Sequence, residues 1–70
     1  MFAHSLKTLR KLRCLSQKDV ARMLKVTQQA VASWENGRTE PSNMVLVEIA
    51  DYFNVSVDYL LGRTDNPNVF

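Results

Sequence analysis

The chain is 70 residues long with one cysteine, and its net charge of +2 hides a split: eight Lys and Arg against two carboxylates over residues 1–38, one Arg against five carboxylates over residues 39–70. A chain that short makes one domain, a lone thiol closes no internal disulfide, and nothing approaches the run of about 20 apolar residues that a membrane span needs. A basic half joined to an acidic half implies one face turned toward a polyanion, and the absence of a signal-like segment at the start makes the reducing cytoplasm the expected setting.

The first expected helix runs over about 3–13, with Leu6 and Leu9 facing inward. "LSQKDV" then opens a second helix over 17–24: Ser16 caps it, Asp19 approximates the partner of a capping box, and Leu15 can pack on Val20. Only Lys25, Val26 and Thr27 separate it from a third helix over 28–36, which forces a tight turn between helices crossing at a steep angle. In "VTQQAV" Thr27 is the cap, Val26 staples onto Val31, and the spacing from Val31 turns Trp34 inward. Gly37 stops that helix, and "EPSNMV" starts a fourth over 43–53 with Ser42 as cap and Leu46, Ile49 and Phe53 in the core. After Asn54, "VSVDYL" repeats the cap-and-staple grammar with Ser56 and with Val55 on Leu60, giving a fifth helix over 57–61 whose Leu60 and Leu61 complete the core. Gly62 ends it, so residues 1–62 form the domain and 63–70 a polar tail. No segment alternates as a strand does, and the fold class is all-α.

The set Gln17, Val20, Ala21, Leu24, Val26, Val31 and Trp34, on two short helices joined by a tight turn, resembles the helix-turn-helix family of phage repressors and Cro proteins. "LKTLRKLRCLSQKDVARML", "WENGRTEPS" and "ADYFNVSVDYLLG" extend the resemblance over almost the whole chain. It implies a compact five-helix, lambda-repressor-like DNA-binding domain with a central helix-turn-helix at about 17–36. Cys14 and Lys25 depart from the family, which often has Gly or Asn at these two helix ends because both tend toward positive φ; a side chain there costs about 1 kcal/mol. Leu12 stands where the family usually has a charged residue.

The resemblance implies a sequence-specific double-stranded DNA-binding regulator, a repressor of phage, prophage or bacterial origin, working in the cytoplasm at the nucleoid. Helix 28–36 would enter the major groove, where Gln28, Gln29 and Ser33 would meet base edges, a Gln amide being able to pair bidentately with adenine. Gln17, Lys18, Lys25, Thr27, Asn36, Arg38, Thr39 and Asn43 would contact the DNA backbone. Arg10 and Glu35 would form a structural salt bridge between the first and third helices. The expected partner is a pseudo-palindromic operator bound by a homodimer, its dimer surface made of the fifth helix with Val57, Tyr59 and the tail through Phe70. The rival reading is a protein-interaction module on the same fold, an antitoxin or adaptor, contacted through the acidic half or through Leu12 and Tyr52. His4 and Cys14 have no partners at metal-ligand spacing, the carboxylates are scattered, and no Gly-rich phosphate loop precedes Lys-Ser or Lys-Thr. No enzyme activity, metal, cofactor, membrane association or small-molecule ligand is therefore expected.

Overall fold

A computed structural model describes residues 2–66 as five helices in chain order: α1 Phe2–Leu12, α2 Gln17–Leu24, α3 Gln28–Glu35, α4 Asn43–Phe53 and α5 Val57–Leu60. Four of them start on a residue held extended whose hydroxyl accepts an amide hydrogen three positions on. The pairs are Ser16 with Asp19 at 3.0 Å, Thr27 with Ala30 at 3.1 Å, Ser42 with Val45 at 3.3 Å and Ser56 with Tyr59 at 3.0 Å. At α2 the box closes, because the Ser16 amide donates back to Asp19 Oδ2 at 2.9 Å.

All five helices stop in the same way. Cys14, Lys25, Gly37, Asn54 and Gly62 adopt left-handed backbone with φ between 55° and 76°. In each case the next amide reaches back five residues: Leu15 to the Arg10 carbonyl, Val26 to Ala21, Arg38 to Ser33, Val55 to Ala50 and Arg63 to Asp58. After α1, α2 and α4 the residue so placed is Leu15, Val26 or Val55, which turns back onto the core and makes the turn part of the packing. At Gly37 an added Cβ would meet nothing within 4 Å, so glycine is required there by its φ of +74° and not by lack of room.

Leu6, Val31, Ile49 and Leu60 have no exposed surface, and with Phe2, Leu9, Val20, Ala21, Leu24, Trp34, Ala50, Phe53 and Val55 they make one core. α3 packs against α1 and α2, while α5 closes the open side against α1 and α4. The bounds of three helices and the burial of two leucines differ from expectation. Helix α1 begins at Phe2, which is buried, and α1, α3 and α5 each end one residue early, with Asn36 and Leu61 as the C-caps of α3 and α5. Leu61 is 36% exposed and is not a core residue: it follows the single turn of α5, whose Leu60 is fully buried while Val57 and Tyr59 pack partly against the core. Leu46 packs on the core but is only half-buried.

Arg13, counted above with the basic half, belongs to the fold. Its Nη2 donates to the Phe53 carbonyl at 3.0 Å, and its guanidinium lies 5.6 Å from the centre of the Phe53 ring, tying the end of α1 to the end of α4.

Cys14, an exposed thiol, holds a φ of 57°, a conformation that a side chain resists by about 1 kcal/mol. Cys14→Gly is expected to stabilise the domain by about that amount and to raise its melting temperature by about 4–8 °C, measured by thermal unfolding under reducing conditions.

The capping box makes a pH prediction. The Ser16 amide, then the Ser16 hydroxyl, hold the Asp19 carboxyl below the ordinary carboxylate range, with a smaller contribution from Arg22 and a small opposing effect of burial. A carboxylate depressed in the folded state contributes stability above its unfolded pKa of about 3.9 and loses it as the pH falls through the lower folded value. Asp19→Asn should therefore make melting temperature fall less steeply below about pH 4 than in the parent.

Candidate nucleic-acid interface

The turn between α2 and α3 sets the geometry. Lys25 takes the left-handed position, Val26 donates to the Ala21 carbonyl at 2.9 Å, and buried Ala21 is small enough for the two helices to approach closely. Val31 and Trp34 anchor α3 from below. That anchoring leaves Gln28 and Gln29 exposed at the helix N-terminus, with no side-chain hydrogen bond or ion pair among the described residues. Each amide is a free donor and acceptor pair.

Ser33 follows Gln29 by four residues on the same side of α3 and is half-buried. Its hydroxyl lies 2.7 Å from that of Thr39, which follows the Gly37 turn. Its carbonyl also accepts the Arg38 amide at 3.0 Å, so Ser33 holds the loop twice.

Lys18, Lys25, Thr27, Asn36, Arg38, Thr39 and Asn43 are all exposed. Thr27 spends a lone pair on the α3 cap and keeps its own proton to donate. Arg38 carries its charge on the loop after α3, unpaired among the described residues, and Asn43 is the first residue of α4. Arg38 and Thr39 also edge a groove of about 430 Å³ lined by Phe2, Trp34 and Glu40, in which one cation and one carboxylate meet.

Gln17 opens α2 and connects this surface to the interior. Its Nε2 donates to Glu35 Oε1 at 3.2 Å, which leaves its carbonyl and second N–H for other partners. Glu35 also takes Arg10 Nε at 2.7 Å and Nη2 at 3.0 Å, and Arg10 Nη1 reaches the Leu15 carbonyl at 2.9 Å. The Glu35 side chain is only 2% exposed, and both of its carboxylate oxygens are hydrogen-bonded by this set. Hydrogen bonding to Glu35 raises the Arg10 pKa above its ordinary value against the opposing effect of burial, so this arginine stays charged at any accessible pH. The expected pair of Arg10 and Glu35 is thus present and joins α1 to α3; the additional bond from Gln17 was not foreseen.

Among the described residues no group of three His, Cys, Asp or Glu is placed to hold a metal ion, and no helix is long and apolar enough to cross a membrane.

A helix-turn-helix family model matches residues 6–60, which takes in all of α2 through α5. The chain belongs to the helix-turn-helix family of phage repressors and Cro-type regulators. It is 39% identical over its whole length to 60% of an uncharacterized helix-turn-helix-type transcriptional regulator, YqaE, of Bacillus subtilis. It is 35% identical over 86% of its length to 29% of the helix-turn-helix-type transcriptional activator BcrR of Enterococcus faecalis. Among solved structures, the solution structure of the DNA-binding domain of the P22 C2 repressor matches with a TM-score of 0.79 and 28% identity, over 87% of this chain and 80% of that one. The chain spans about 60% of the length of YqaE and of a second Bacillus subtilis regulator, YobD.

Proposed function

We propose that the chain is a sequence-specific double-stranded DNA-binding transcriptional regulator, acting as a repressor in the cytoplasm of a bacterium. The observation that carries this reading is the pair Gln28 and Gln29: two exposed, unbonded amides at the N-terminus of a rigidly anchored second helix of a helix-turn-helix. In this docking α3 enters the major groove and its first residues reach base edges, while α2 crosses the sugar-phosphate backbone. Gln28 and Gln29 select the sequence. Gln17, Thr27, Asn36, Thr39 and Asn43 donate to phosphates, and Lys18, Lys25 and Arg38 add charge. The likeness to the P22 C2 repressor DNA-binding domain supports the repressor sense.

A two-fold dimer reads a pseudo-palindrome with half-sites about 34 Å apart, one turn of the duplex. Its surface is α5 with Val57 and Tyr59; Phe70, also assigned to it on sequence, lies outside the described residues.

The experiment is a salt titration of binding to duplex DNA. Affinity for any duplex should fall steeply as salt rises, and Arg38→Ala should weaken all sequences about equally and reduce the slope of log K against log salt by about one. An affinity independent of salt, or no binding at low salt, would reject the reading.

A further inference from the structure

We infer that Ser33 and Thr39 act as a single unit, in which Ser33 positions the turn after α3 so that one hydroxyl of the pair donates to a DNA phosphate. The inference rests on the DNA-binding reading above and removes Ser33 from the set of residues that touch bases.

The two oxygens are 2.7 Å apart, the ordinary length of an O–H···O bond. Each hydroxyl has one proton and two lone pairs, so a pair that shares one hydrogen bond keeps one proton unused. Thr39 is exposed and Ser33 half-buried, which puts the unused proton on Thr39 when an outside acceptor is present. The order is then Ser33 to Thr39 to phosphate, and donation by Ser33 makes the Thr39 hydroxyl a better donor. The backbone enforces the same arrangement: the Ser33 carbonyl holds the Arg38 amide at 3.0 Å, and Gly37 with φ +74° folds the chain back to place Thr39 beside Ser33. The turn bearing Arg38 and Thr39 is therefore registered against the helix bearing Gln28 and Gln29. A serine whose hydroxyl is engaged sideways with the loop is poorly placed to present it to a base.

Because the contributing group is uncharged, its loss lowers affinity without changing the number of ions released, unlike the loss of Arg38. Ser33→Ala, Thr39→Val and the double variant would be compared with the parent on a selected duplex and on an unrelated one. Each single variant should weaken binding to both duplexes by about three- to tenfold, with the salt slope and the ratio between duplexes unchanged. The double variant should lose no more than either single, and Ser33→Thr should restore binding. Thermal unfolding of each variant should stay near the parent, which separates positioning from loss of fold.

Additive losses, no loss, or a changed base preference confined to Ser33→Ala would each overturn the inference, the last by making Ser33 a direct reader. If the parent binds no duplex at all, it is the DNA-binding reading that fails and not this one.

Discussion

Arg10→Ala is expected to destabilise the domain by about 3–5 kcal/mol, because it leaves a buried carboxylate without its charge partner. A fold of this size has a total stability of several kcal/mol, about 0.05–0.15 kcal/mol per residue, so the loss takes a large share of it and the melting temperature should fall steeply. The basis is the count of bonds at Glu35. Arg10 supplies two of its three donors, and the third, from Gln17 at 3.2 Å, is the longest. Arg10 also satisfies the Leu15 carbonyl at the α1 turn, so its removal opens that end as well. Raising or lowering pH cannot mimic the change from the arginine side, since Arg10 is held protonated.

The pair as a whole contributes much less than its breakage costs, since both ions give up hydration to form it. Arg10→Met combined with Glu35→Leu should therefore recover most of the loss, within about 1–2 kcal/mol of the parent. Urea unfolding of the parent, Arg10→Met, Glu35→Leu and the double variant gives the coupling energy directly; a value near zero would mean that the pair does not hold α1 to α3.

The second large effect is on specificity and leaves stability alone. Gln28→Ala and Gln29→Ala remove exposed side chains that support nothing in the fold, and alanine favours helix slightly more than glutamine. Melting temperatures should be unchanged or slightly higher. A bidentate contact to a base discriminates by about 1–3 kcal/mol, so each variant should lose about tenfold or more in preference for the cognate duplex, at the position its amide reads. Neither residue is charged, so the salt slope should stay that of the parent. The expected signatures are distinct: substituting Gln28 or Gln29 should change the choice of site, substituting Arg38 the salt slope, and substituting Ser33 or Thr39 affinity alone. Competition binding against duplexes altered one base pair at a time, repeated over a salt series, resolves the three.

Much of the fold was legible because its punctuation is local. A hydroxyl cap or a residue suited to positive φ acts within five residues, so Ser16, Thr27, Ser42, Ser56, Gly37, Asn54 and Gly62 mark helix ends without knowledge of the rest. Cys14 and Lys25 are not glycine, and their left-handed backbone was expected only through the family resemblance. Periodicity fails where a helix is too short to average over: α5 is one turn, and Leu60 and Leu61 differ only in which side of that turn they occupy.

The less legible features join distant residues. Nothing near Arg13 in sequence points to a carbonyl 40 positions away in α4, yet that contact gives an exposed cation a place in the fold. Gln17 reads as a surface amide until the packing of α2 on α3 brings it to Glu35. The Ser33–Thr39 bond depends on the exact path of the loop after Gly37, which the chain's polar composition there does not specify.

The most direct test of the account is selection from a pool of random duplexes by the parent chain at moderate salt, with the Gln28→Ala, Gln29→Ala double variant run beside it. The parent should enrich one short sequence, with its inverted repeat about one duplex turn away, and the double variant a relaxed set or none. Enrichment of nothing by the parent, or of the same sequence by both proteins, would contradict it.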